Sequence, residues 1–270
     1  MGKLLILPNN LTDDILDISD SILVGIKGYS VNVPCEIDID ELKDLKAKYN
    51  KEIFVSLNKN MRNSDIDKLK EILLILDSLD IKGIFYADTC LVNLKKELNI
   101  KTDLVWSQEH LTTNYATINF WLKYGVNYTY LSGEITLEEI KEISKNTKSK
   151  LIMPIFGYIP IYVSLRHAVK NYLRTFNLKD NSKINFIKNE DKVYPIVDNE
   201  IGTMVYSDTI LDGYDEFKDL DIDYFTLNEF NIDHDTFIKV IKKYKGEDTN
   251  YELNTSKGFL YTNTIYKVKK

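Results

Sequence analysis

IFVSLNKNMRNSDIDKLKEILLILDSLDIKGIFY, from Ile53 to Tyr86, places two short β-branched and aromatic runs on either side of one amphipathic stretch. Leu69, Ile72, Leu73, Leu76 and Leu79 recur there at helical spacing, behind Ser64 as an N-cap with Asp67 three residues later. Strand, helix, strand in that order is a βαβ unit, and a helical crossover makes its two strands parallel.

Outward from this unit the same alternation runs almost to the C-terminus. Strands are expected at Lys3–Leu7, Ile22–Ile26, Ile53–Leu57, Gly83–Tyr86, Leu104–Trp106, Tyr128–Leu131, Leu151–Ile155 and Tyr224–Leu227. Thr136 with Glu139 forms a capping box that opens a helix carrying Ile140 and Ile143. Eight such strands suggest closure into a (β/α)8 TIM-type α/β barrel, with room for distortion. The rhythm breaks between about Tyr158 and Asp219, where Lys183–Ile187, Val193–Val197 and Thr203–Tyr206 alternate around a turn at Asp198–Gly202. The reading is one domain over residues 1–270, with an inserted β-hairpin or small antiparallel lobe at about 180–210, before the last strand.

Of the 270 residues, 44% are hydrophobic and 28% charged, enough to bury a core without staples. Cys35 and Cys90 are the only cysteines, too few for a disulfide framework or a four-thiolate cluster, so no cofactor or metal is expected. The N-terminal apolar run is too short for a secretory signal, and no stretch approaches the ~20 apolar residues of a membrane span. A cytoplasmic protein without membrane association is expected. The formal net charge is −6 and lysines are interspersed with acids, which makes nucleic acid an unlikely partner while leaving room for a local basic patch. His110, His167 and His234 match no zinc spacing; His110 is expected in a solvent-facing loop, and His234, between Asp233 and Asp235 at a helix start, is expected to be exposed. GxSxG, P-loop and GxGxxG patterns are absent from the sequence.

In such barrels functional groups gather just beyond the C-terminal ends of the strands. Those positions hold Asn58, Asp88, Gln108, Glu134 and Asn228, with Phe156 and Gly157 after the seventh strand. Asn and Asp are ordinary turn formers, so Asn228 is read as local and Asp88 as a cap for the helix at Thr89 and Cys90. Gln108 and Glu134 form turns poorly, and a role in the mouth stands level with a local one. In a desolvated mouth Glu134 would act as acid or base, with Gln108 and Asn58 orienting a polar substrate.

LVWSQEHLTTNYATINFWLKYGVNYTYLSGEITLEEIKEI, from Leu104 to Ile143, resembles the central block of peptidase family U32: a strand ending in Ser107-Gln108, Asn114 starting a helix, and a strand leading to Glu134 before the helix from Thr136. IFVSLNKN and IFYADTCL resemble the family's preceding strands with Asn58 and Asp88, and Tyr194–Thr203 resembles a segment of its shorter bacterial members. The resemblance implies a barrel and a nominal peptide hydrolase of unassigned catalytic type; some relatives assist hydroxylation of RNA or quinone precursors with an iron–sulfur cluster. Two departures stand out. Phe156 occupies the place of the family's signature histidine before Gly157, and in Ser164-Leu165-Arg166-His167 the histidine replaces a cluster cysteine. The first reading is therefore a U32-like peptidase with Glu134 and Gln108 as catalytic groups and Asn58, Asp88, Asn114, Arg166 and His167 binding a peptide or small-molecule ligand. The alternative is a non-catalytic barrel that binds a small anionic metabolite or a cluster-bearing paralogue involved in RNA hydroxylation, as part of a homo- or hetero-oligomer.

Overall fold

The computed structural model describes residues 2–108, 111–180 and 182–262. The apolar runs form β1 (Lys3–Leu7), β2 (Ser21–Ile26) and a short β3 (Glu36–Ile37), with α1 (Asp13–Ile18) between the first two. The alternation continues as α2 (Ile39–Lys48), β4 (Glu52–Leu57), α3 (Ile66–Ser78), β5 (Gly83–Tyr86), α4 (Cys90–Leu98), β6 (Leu104–Ser107), α5 (Tyr115–Lys123), β7 (Tyr128–Tyr130), α6 (Leu137–Asn146) and β8 (Lys150–Ser164). The inserted segment holds α7 (Ala168–Thr175), β9 (Asn185–Asn189), β10 (Lys192–Asp198) and β11 (Thr203–Asp212). The chain ends its described part with β12 (Tyr224–Asn228), α8 (His234–Tyr244) and β13 (Thr255–Ser256).

Strands β12, β1, β2, β4, β5, β6, β7 and β8 pair in that order, every pair parallel, and β8 pairs back to β12. The sheet is a closed (β/α)8 barrel. Residues alternate across each strand, so Leu4 and Ile6 face the helices while Leu5 and Leu7 face the axis. Inside, Phe54 meets Phe85, Tyr128 and Tyr224 edge-on, at 5.9, 6.2 and 5.1 Å between ring centroids. These rings fill the barrel interior together with Leu5, Leu23, Val105 and Ile152.

Helix starts follow local chemistry. Thr136 and Glu139 form the capping box of α6, with Thr136 N–H donating to Glu139 Oε2 at 2.7 Å. At α3 the structure differs from the sequence reading: Ser64 lies inside a one-turn 3-10 segment, Asn63–Asp65, and Asp65 precedes the helix. The tighter turn is stabilised from behind, because the Asp65 carboxylate accepts from Arg62 N–H at 2.8 Å and pairs with Lys59 at 3.2 Å.

β8 is the element that joins barrel and insertion. Its first half pairs in parallel with β7 and β12; beyond Phe156 it continues as an antiparallel partner of β11, which carries β10 and then β9. The Asp198–Gly202 turn closes as expected, the Asn199 side chain accepting from Ile201 and Gly202 N–H at 2.9 and 3.1 Å. A satellite apolar cluster of Val31, Met204, Tyr206 and Phe230 seats the insertion on the barrel rim. Among the described residues no helix is long and apolar enough to cross a membrane.

Candidate functional site

The C-terminal ends of the barrel strands open toward the insertion, and three adjoining spaces lie there. The central one, about 50 Å³, sits directly above the aromatic interior between Phe85, Tyr130, Pro154 and Thr226. Beside it, about 330 Å³ is enclosed by Asn58, Asn60, Ser107 and Gln108 on the barrel and by Ile161, Tyr162 and Val163 of β8. On the other flank a groove of about 650 Å³ separates the rim, at Asn9, Glu36 and Phe230, from the insertion, at Ile184, Glu200 and Tyr206.

Several residues named from the sequence hold local structure. Asn58 uses its amide like a strand backbone: its Oδ1 accepts from Val31 N–H at 2.8 Å and its Nδ2 donates to Val31 C=O at 3.0 Å. Asp88 accepts from Cys90 N–H at 3.0 Å, the expected cap, and from Met61 N–H at 2.9 Å. Asn114 is the N-cap of α5, accepting from Thr117 N–H at 2.9 Å. Asn228 accepts from Phe230 N–H at 2.9 Å.

Gln108 donates to Ala87 C=O at 3.2 Å and lines the amide-rich cavity. Glu134 is half-buried and lines a different, small space with Tyr130, Pro154 and Ile159. The barrel thus brings Gln108 and Asn58 to one cavity, while Glu134 reaches the same mouth from the far side of the central space, whose walls Tyr130, Pro154 and Ile159 it shares. Arg166 and His167 lie on the insertion: Arg166 is exposed, its carbonyl accepting from the Thr203 hydroxyl at 2.6 Å, and His167 precedes α7. Neither lines any of the three spaces at the mouth. Phe156, in place of the signature histidine, packs its ring against Phe237, Tyr244 and Tyr251. His110 falls outside the described residues.

A polar array absent from the sequence reading lies at the seam of β12 and β1. Glu229, 1% exposed, accepts from Asn9 N–H at 2.5 Å and meets His234 Nδ1 at 2.9 Å, while His234 Nε2 meets Asp14 at 2.8 Å. His234 is half-buried and bonded through both nitrogens instead of exposed. Its two carboxylate partners, Asp14 first, raise its pKa above the ordinary imidazole value. In the groove, burial and then the facing Glu200 push the Glu36 carboxyl up to about 7, against a smaller opposing effect of Lys27.

The donor set does not fit a four-thiolate cluster. Cys35 lies before β3 and Cys90 opens α4, and burial pushes the two thiols up to about 11 and about 12, away from the thiolate form that ligates iron. Among the described residues no three His, Cys, Asp or Glu side chains converge as a metal site.

The family model for peptidase family U32 matches residues 9–185. The chain belongs to peptidase family U32. Within this family, tRNA hydroxylation protein P2 of Bacillus subtilis (strain 168) is 25% identical over 261 residues, covering 90% of this chain and 84% of that protein. The P1 protein of the same organism is 22% identical over 159 residues, 57% of this chain and 38% of its own length. An uncharacterized protease of Methanocaldococcus jannaschii is 29% identical over 129 residues, 46% of this chain and 31% of that protein. Among solved structures, phosphoribosylanthranilate isomerase from Thermotoga maritima aligns with a TM-score of 0.48 and 11% identity, over 92% of this chain and 100% of that one.

Proposed function

We propose that this U32 chain takes part in the hydroxylation of tRNA as a subunit without a redox centre of its own, working beside a longer, cysteine-bearing U32 chain. The observation that carries the reading is the similarity to the P2 protein, which extends over 90% of this chain and 84% of that protein, whereas the match to P1 takes in only 38% of P1. Converting C–H to C–OH withdraws two electrons from the substrate. Two thiols on separate elements, both pushed up by burial, make no cluster site in this chain, which supports a redox centre carried by a partner. Peptide hydrolysis, which the family name implies, has less behind it: the uncharacterized protease matches only 46% of this chain, and Arg166 and His167 line neither the cavity of Gln108 nor the space of Glu134.

The test is deletion of the gene in its source organism, followed by mass spectrometry of nucleosides from total tRNA. Loss of a hydroxylated nucleoside, restored by the wild-type gene, with co-purification of a longer U32 chain, is the expected result. Unchanged tRNA, or peptide turnover by the purified chain that disappears in Glu134→Ala, would overturn it.

A further inference from the structure

The charge of this chain is unevenly spread. Between Ser164 and Asn189 the sequence holds Arg166, Lys170, Arg174, Lys179, Lys183 and Lys188 against Asp180 alone, within a chain of formal net charge −6. All six cationic residues are exposed, and none makes an ion pair among the described residues, unlike neighbouring Lys192, which pairs with Asp208 at 3.1 Å. The same segment displays aromatic rings: Tyr172, Phe176 and Phe186 are 57%, 61% and 58% exposed, with Tyr172 and Phe176 4.7 Å apart between centroids on α7 and its C-cap. A folded lobe that leaves large rings and unpaired cations in water side by side is not serving its own stability; each ring forgoes the burial that drives folding.

We infer that the insertion is an RNA-binding lobe, which takes phosphates on its lysines and arginines and stacks unpaired bases on its exposed rings. The inference rests on the tRNA reading and names the surface that engages that substrate. Cations interleaved with exposed aromatics suit single-stranded segments, where phosphates supply affinity and every base offers a π-face. Outside Ser164–Asn189 the chain is net acidic, the rest of the insertion included, which favours approach of the polyanion to this stretch. β8 ties this surface to the mouth, because Tyr162, 52% exposed, lines the 330 Å³ cavity together with the amides of Asn58, Asn60 and Gln108. A strand that follows β8 from the lobe toward the mouth meets, in that cavity, amide side chains of the kind that pair with base edges.

The experiment measures binding of a fluorescein-labelled, unmodified tRNA transcript to the full chain across 50–300 mM salt. For wild type, affinity should fall steeply with salt. Neutralising four cations, Lys170→Gln, Arg174→Gln, Lys183→Gln and Lys188→Gln, should flatten the log K against log salt slope by up to about 3, at roughly 0.7 per phosphate contact on single strands. Tyr172→Ala with Phe176→Ala should weaken binding ~10-fold or more and leave the slope unchanged. A control neutralising exposed lysines of the barrel helices, Lys48, Lys96, Lys141 and Lys145 to Gln, should behave as wild type, and thermal unfolding of each variant checks that it folds. No tRNA binding at 50 mM salt, an equal loss in the control, or preferential binding to vesicles containing 30% anionic lipid would overturn the inference. Loss of hydroxylation on gene deletion without tRNA binding by the chain removes this lobe's role and leaves the proposed function standing; binding without loss of hydroxylation does the reverse.

Discussion

The imidazole of His234 lies between a carboxylate that water cannot reach and one that it can. Glu229 is buried, Asp14 is exposed, and the ring bonds both at 2.9 and 2.8 Å. A buried carboxylate costs least when hydrogen-bonded and faced by positive charge, and protonated His234 supplies both. Because the folded-state pKa of His234 is raised, its stabilisation is fully present below the unfolded value near 6.5 and is lost as pH rises through the folded value. Asp14 works from the other side: its pKa is lowered to about 2, by the Thr12 hydroxyl first and then His234, so its contribution is present above about 3.9 and is lost as pH falls toward 2. His234→Gln should therefore cost about 1–2 kcal/mol near pH 6, a figure reduced for the partial exposure of the ring, and less as pH rises. Urea unfolding of both proteins from pH 5 to 9 checks this, and a gap that stays constant across that range would mean the imidazolium is not what stabilises the seam.

Asn58 makes the same point for a neutral group. Both ends of its amide pair with the backbone of Val31, so Asn58→Ala should destabilise by about 1–3 kcal/mol through the two Val31 groups left unbonded. If the change instead leaves stability intact and abolishes tRNA hydroxylation in cells, the side chain serves the mouth more than the loop. Neither array could be read from local sequence. Glu229 lies one residue past Asn228, where the strand-end rule stops, and the partners Asn9 and Asp14 are 220 residues from Glu229 and His234.

At the scale of elements the sequence was legible wherever burial dictates a pattern. Strand positions for the barrel came from apolar runs bounded by turn formers, because a parallel strand is covered on both faces. The exception is β8, read as Leu151–Ile155 and observed as Lys150–Ser164. Pro154, Gly157 and Pro160 argue against a continuous strand, and the structure reconciles them with irregular registers: one shift opposite β12 between Thr226 and Leu227, two opposite β11 on either side of Tyr206. Gly157 is where barrel pairing gives way to the insertion, at φ +122°, and a Cβ there would stand 2.8 Å from both Cβ and carbonyl oxygen of Asn228. Gly157→Ala should cost at least about 1–3 kcal/mol from backbone strain, before any displacement of Asn228. Limited proteolysis should then cut the insertion faster than in wild type. Cleavage at the wild-type rate with unchanged stability would show that the strand relaxes around the methyl group.

Across the whole molecule, the insertion is seated on the barrel by contacts between segments that are distant in sequence. Tyr206 of β11 stacks on Phe230, just past β12, at 4.0 Å and 23°, while Glu200 from the insertion turn faces Glu36 at the start of β3 across the groove. An apolar stack next to two like charges is a compromise: the rings hold the lobe down while the carboxylates push it away. Composition conceals this, as it conceals the cationic stretch Ser164–Asn189, since net charge averages over the whole surface. Glu36 has a folded pKa of about 7, raised by burial first and then by Glu200, with Lys27 opposing; unfolded, it would ionise near 4.3. A raised carboxyl binds its proton more tightly when folded, so stability falls as pH climbs from about 4.3 through 7 and then levels off. Glu36→Gln removes the charge and keeps the shape. The variant should match wild type at pH 4.5 and exceed it by about 1–3 kcal/mol at pH 8, with the gap opening between those values, as measured by urea unfolding at each pH. Equal or lower stability of the variant at pH 8 would mean that the Glu36 carboxylate is compensated in the groove and that no repulsion strains the seat of the lobe.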